Sequence, residues 1–160
     1  MLHTRLLTPA DDARIAAIIR ANLKAHGLDV PGTVYFDPEL DHLSAFYAQN
    51  PGKRAYFVTL DDAGQAAGGV GFAEFPGFAD CAELQKLYLD DSVKGHGLGT
   101  ALIRLVQEQA AAAGYRQLYL ETHTALHTAM HAYERAGFLP IEKPPFVQHA
   151  TMNRFYLKAL

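Results

Sequence analysis

Three glycines alternate at positions 95, 97 and 99, directly after Lys94 and beside an apolar stripe at Leu98, Leu102, Leu105, Val106, Ala110 and Ala113. The stripe has helical spacing, so the glycines stand where a helix begins. Glycine lets the backbone approach a ligand closely and accept positive φ. A helix start offers unpaired N–H groups and a partial positive charge, and together these suit a phosphate or diphosphate. Lys94 adds a full positive charge at the edge. The plainer alternative is a solvent-facing turn whose glycines only relieve steric conflict. A Walker-type loop does not fit, because no Lys-Ser or Lys-Thr follows these glycines. A dinucleotide fold is a rival, since Glu121 lies 22 residues past Gly99 where a ribose-binding acid could sit. That fold, however, wants its Gly-rich turn directly after the first strand of a βαβ unit. His123, His127 and His131 are spaced by four, yet no Glu adjoins them as in His-Glu-x-x-His, so no metal is expected.

These residues need elements to position them. Alternation over Leu2–Leu7 predicts a first strand. Thr8, Pro9 and Asp11 mark the start of a helix carrying Ile15, Ile18, Ile19 and Leu23, with Gly27 as its stop. Asp37-Pro38 predicts a second short helix ending near Asn50. Strands are expected at Ala55–Leu60, Ala67–Glu74 and Cys81–Leu89, then a long helix from the Gly-rich loop to Gly114. A strand at Gln117–Glu121, a helix at about Thr124–Ala136 and a strand at Thr151–Leu157 complete the chain. This order implies an α+β or mixed-sheet fold with helices on both faces.

The 160 residues are of one-domain length, and the domain is expected to span 1–160. With 14 basic against 17 acidic residues, the net charge of −3 argues against nucleic-acid or anionic-membrane binding. No apolar run approaches a membrane span, the first residues lack a signal-peptide stretch, and the single Cys81 cannot close an internal disulfide. A cytoplasmic protein is expected.

The run Lys94-Gly95-His96-Gly97-Leu98-Gly99 resembles the coenzyme-A loop of the GNAT N-acetyltransferase superfamily, Arg/Gln-x-x-Gly-x-Gly/Ala, with Lys94 in place of Arg or Gln. Ala132-Tyr133-Glu134-Arg135-Ala136-Gly137-Phe138 resembles that family's second signature, Leu-Tyr-Glu-Lys-x-Gly-Phe. The resemblance covers about 55–138 and implies a GNAT-like, mostly antiparallel sheet. It also implies an acetyl-CoA site: the pyrophosphate on the amides of Gly95, His96, Gly97, Leu98, Gly99 and Thr100, and the pantetheine arm along Leu87 and Leu89, where a bulge splays the fourth strand from the fifth.

The implied reaction moves an acetyl group from acetyl-CoA directly to a primary amine of a small molecule or peptide. An amine of pKa ~10.4 must lose a proton, and a departing thiolate needs a hydrogen bond or a proton. Tyr133, on the apolar stripe with Leu126, Ala129 and Met130, is the expected thiolate partner. A phenol at ~10 protonating a thiolate at ~8.5 is uphill by ~2 kcal/mol, so hydrogen bonding serves as well as transfer. Glu83 is the candidate base, read as sharing a strand face with Gln85, Leu87 and Leu89. The family's Asn ahead of the Tyr helix is absent, with Thr124 or His127 as substitutes. Tyr35, in the loop 28–41, and His149 are candidate substrate contacts, His149 also as a second base. A non-catalytic acyl-CoA sensor and a dinucleotide-binding oxidoreductase are the alternatives, and a homodimer is left open.

Overall fold

The computed structural model describes residues 3–160. Among them seven strands form one sheet: β1 Thr4–Leu6, β2 Ala55–Leu60, β3 Ala66–Glu74, β4 Cys81–Leu89, β5 Gln117–Thr122, β6 Leu139–Ile141 and β7 Arg154–Ala159. Their order is β1-β2-β3-β4-β5-β7-β6. Only β4 and β5 pair in parallel. A parallel pair needs a crossover, which the helix α3, Leu98–Ala112, supplies. The other helices are α1 Asp12–Ala25, α2 Leu43–Ala48 and α4 His127–Arg135. The fold is α+β, a mixed and mostly antiparallel sheet.

Pleating divides the core. Val58 and Tyr56 of β2 face Ile15, Ile19 and Leu23 of α1 and Leu43 and Tyr47 around α2. Val70 and Phe72 of β3 face Leu102, Ile103 and Val106 of α3 and Tyr133 of α4. The glycines of β3 explain the first packing. A Cβ at Gly71 would lie 2.7 Å from the Tyr56 ring and 2.9 Å from the Tyr47 hydroxyl, and one at Gly69 would strike the Tyr56 ring. Two residues that weaken a strand are kept because two tyrosine rings occupy their side-chain space.

Leu2, the start of the expected first strand, lies outside the described residues. Asp37-Pro38 does not open a helix. It lies between 3-10 turns at Val34–Phe36 and Leu40–His42, because the Asp37 carboxylate turns inward to Lys86 and His149. The strand β6 escapes sequence reading because it is three residues long with Pro140 at its centre, a composition tolerated only at a sheet edge. The last strand starts at Arg154; Thr151 instead donates its N–H to Gly32 O at 3.0 Å, joining two loops.

The entry to α1 has its own electrostatics. The Asp11 carboxylate accepts two bonds from the Arg5 guanidinium, at 2.7 and 2.9 Å, and one from the Thr8 N–H at 2.9 Å. The Arg5 bonds hold the Asp11 carboxyl at about 2 despite its burial. Its folded value lies below the unfolded one, so the stabilisation is complete above pH ~4 and disappears as pH falls through about 2. Arg5 is 40% exposed, which weakens the pair by solvent screening. Asp11→Asn is therefore expected to cost about 1–2 kcal/mol in urea unfolding at pH 7 and nothing below pH 2.

Candidate active site

The site originates in one backbone irregularity. Lys86 has φ of 54°, and across this point Gly71 pairs with Gln85 but Gly69 with Tyr88, so β4 carries an extra residue. Such a bulge bends its strand. The bulge is held from behind by the Tyr56 hydroxyl, which donates to Lys86 O at 2.9 Å. Beyond Glu83↔Tyr119 the β4–β5 pairing ends and the two strands part. A cleft of about 640 Å³ opens there, lined by β4 from Glu83 to Leu89, by the loop before α3, and by Glu121, Tyr133 and His149.

The bulge also corrects one expectation. Glu83 and Gln85 do not share a face with Leu87 and Leu89. Leu84 packs in the α3 core, and after the inserted residue Leu87 and Leu89 do so too, while Glu83 and Gln85 point to the α1–α2 side. One extra residue reverses a period-two alternation. Glu83 and Tyr133 therefore approach the cleft from opposite faces of the sheet.

At the other end of β4, about 20 Å along the strand from Glu83 at ~3.3 Å per residue, Gly95 and Gly97 have φ of 81° and 75°. None of the N–H groups from Gly95 to Thr100 is donated to an acceptor among the described residues. Gly99 has no positive φ, and a Cβ there would meet nothing within 4 Å. Neither the turn nor the packing requires glycine at 99; bare backbone there leaves the start of α3 open to a ligand. The residues present thus fit a diphosphate. Lys94 lines the cleft, paired with Asp91 at 2.7 Å and Asn22 at 2.8 Å. Asn22 also donates to Leu89 O at 2.8 Å, tying α1 to the end of β4. His96 is exposed, faces Lys94 O and does not line the cleft.

Glu83 is 6% exposed. Burial, and next the charge of Glu121, push its carboxyl up to about 7, against the opposing influence of Gln85, His149 and Lys86. The Gln85 amide donates to Glu83 Oε1 at 2.7 Å and accepts from the Tyr47 hydroxyl at 2.8 Å. Next to Glu83 runs a buried ion chain invisible in the sequence. Lys86 Nζ lies 3.0 Å from Asp37 and 3.7 Å from Glu39. Asp37 Oδ1 lies 2.8 Å from His149 Nε2, whose Nδ1 lies 2.9 Å from Glu121 Oε1. With a carboxylate oxygen at each ring nitrogen, both carry protons and His149 is an imidazolium. Burial opposes that charge, but the bonds to Asp37 and Glu121 outweigh it and lift His149 to about 9. His149 has no lone pair to act as a base.

Tyr133 lines the cleft from α4, 6% exposed, and its hydroxyl has no hydrogen-bond partner among the described residues. Burial raises its pKa, so it stays a phenol. Tyr35 packs tilted against Phe36, with ring centroids 5.2 Å apart, and does not line the cleft; Val34 does. Thr124 is bonded to Asn153, and neither it nor His127 lines the cleft, whereas Thr128 does. Cys81 is buried, with its thiol pushed up to about 12 by that burial, and lies outside the cleft. His123 precedes α4 and accepts the Ala125 N–H, so the three histidines share no helix flank. No group of three or more metal-holding side chains occurs among the described residues. The 3-10 turn Asp91–Val93 between β4 and the glycine loop, a sheet whose pairings other than β4–β5 are antiparallel, and a Glu121 occupied by His149 and Tyr119 remove the dinucleotide reading.

The chain is similar to known proteins in both sequence and fold. The chain is 39% identical over 140 residues to Uncharacterized N-acetyltransferase YjgM of Escherichia coli, covering 86% of this chain and 82% of that protein. Its fold matches an acetyltransferase of the GNAT family from Staphylococcus aureus with a TM-score of 0.86 at 15% identity, over 99% of both chains. It also matches yncA from Salmonella typhimurium, described as a putative acetyltransferase with its cofactor acetyl-CoA, with a TM-score of 0.74 at 18% identity, over 99% and 94% of the two chains. The sequence pattern of the Acetyltransferase (GNAT) family matches residues 17–138, and the chain belongs to that family.

Proposed function

We propose that this protein transfers the acetyl group of acetyl-CoA to a primary amine of a small molecule or peptide by direct attack in a ternary complex, as one domain working in the cytoplasm. The observation that carries the reading is the parting of β4 from β5 beside a buried Glu83, at the far end of a cleft that starts with six free amides. Those amides, from Gly95 to Thr100, would hold the pyrophosphate, with Lys94 nearby. The main chain of Leu87 and Leu89, no longer paired with β5, would align the pantetheine arm as a strand, with Leu89 O held by Asn22.

Acetyl-CoA supplies the thioester. Glu83, oriented by the Gln85 amide, accepts the proton of the incoming ammonium. Tyr133, on the opposite face with its hydroxyl unclaimed, donates a hydrogen bond to the departing sulfur. Cys81, buried and outside the cleft, takes no acetyl group. Thiol release from acetyl-CoA across a panel of amines, together with calorimetric titration of the same molecule, tests the reading. Turnover with some amine supports it. Binding without turnover would make the protein an acyl-CoA sensor, and no binding would end both readings. Tyr133→Phe is expected to lower kcat at least tenfold with acetyl-CoA affinity unchanged; wild-type kcat would remove Tyr133 from the mechanism.

A further inference from the structure

The ion chain beside Glu83 is not used by the mechanism above, and buried charges are retained at a cost. We propose that Glu121, which touches no reacting atom, is a positioning residue of this site: its anchored negative charge beside the parting of β4 and β5 makes Glu83 a stronger base than an isolated carboxylate. The inference rests on the acetyl-transfer reading for its consequence in catalysis, but not for its electrostatics.

The geometry carries it in two steps. First, Glu121 is held as an anion. Oε1 accepts the His149 main-chain N–H and the Nδ1–H, both at 2.9 Å, and Oε2 accepts the Tyr119 hydroxyl at 2.9 Å. Three donors on two oxygens favour the charged form, and the side chain is 4% exposed. Second, it stands on the right strand. Glu83 pairs with Tyr119, and Glu121 is the next residue on that face of β5, one pleat further into the parting. Both carboxyl residues line the same cleft.

The surrounding charges do not cancel the effect. Facing Glu83 are Gln85 and Lys86 from its own strand, Tyr47 from α2 through Gln85, Tyr119 and Glu121 from β5, and His149 from the loop before β7. Lys86 is matched by Asp37 and Glu39, and His149 by Asp37 and Glu121. Two cations against three carboxylates leave one negative charge over. Glu83 ionises into that excess, and a second anion in a buried site holds on to its proton harder. A carboxyl that releases its proton near neutrality takes one from an ammonium more readily than an ordinary carboxylate.

The test is carbon-13 NMR titration of the side-chain carboxyls in the ligand-free protein, with Glu83→Gln to assign the signal. In the wild type Glu83 is expected to titrate near neutrality. An ordinary carboxyl midpoint there would overturn the inference without any variant. In Glu121→Gln the Glu83 midpoint should fall by at least one pH unit, and in Glu121→Asp, which keeps the charge, by less than half of that. An unmoved midpoint in a folded Glu121→Gln would equally overturn it. The acidic limb of the kcat profile should shift by the same amount. If the midpoint moves and the limb does not, the electrostatics stand and Glu83 is not the base of the reaction.

Discussion

Glu83→Gln is expected to reduce kcat by about 10²–10⁴-fold, the usual contribution of a positioned general base, while making the protein more stable above pH 7. In the wild type, kcat should rise as pH rises through about 7, where Glu83 loses its proton, and the variant should lose that acidic limb. The stability change has the opposite sense. The folded Glu83 carboxyl lies above its unfolded value of 4.5, so the neutral form favours folding. That stability is complete below pH 4.5 and is lost as pH rises through about 7. At pH 8 the wild type carries an ionised carboxylate in a buried place at a cost of about 3 kcal/mol, which the glutamine avoids. Chemical denaturation at pH 5 and pH 8 checks this. A kcat profile that keeps its acidic limb in the variant would exclude Glu83 as the base. A stability gain that does not grow with pH would contradict the burial argument.

Gly99→Glu should weaken acetyl-CoA binding at least a hundredfold, with a melting temperature within a degree or two of the wild type. The fold gives it room: a Cβ at 99 meets nothing, and the φ is one any residue adopts. The loss would come from placing a carboxylate among the free amides that would otherwise meet a pyrophosphate. Gly97→Glu is expected to lose the ligand as well, but less cleanly, because φ of 75° at this position strains any L side chain. Calorimetry with acetyl-CoA and thermal unfolding of the ligand-free protein separate the two effects. Undiminished affinity in Gly99→Glu would displace the pyrophosphate from the start of α3.

Much of this was legible along the chain because it depends on local pattern. The strands at 55–60 and 81–89 and the helix after Gly97 follow from runs of apolar residues at fixed spacing, bounded by turn residues. The glycine loop and the Tyr133 helix carry short signatures whose chemistry is itself local: free amides at a helix start, and a phenol on an apolar stripe. The segments that went astray are those where a distant partner overrides the local preference. Asp37-Pro38 reads as a helix start, but Asp37 is claimed by Lys86 and by His149, 112 residues away. Glu121 reads as a free acid at a strand end, and it is occupied by His149.

The glycines of β3 mark the boundary most clearly. Their sequence announces an unusual strand, but not that Tyr56 fills their space and fixes the carbonyl of Lys86. That bond holds the left-handed residue that shifts β4 by one step, sends Leu87 to the opposite face from Gln85, and helps open the gap beside Glu83. By itself, then, the amino-acid order determined most of the elements, the glycine loop at the start of α3 and the family resemblance, since backbone propensity and side-chain periodicity act over a few residues. The tertiary structure alone decided the bulge, the buried ion chain and the charge on His149. Each depends on groups brought together from separate strands and loops, where burial strengthens every unbalanced charge.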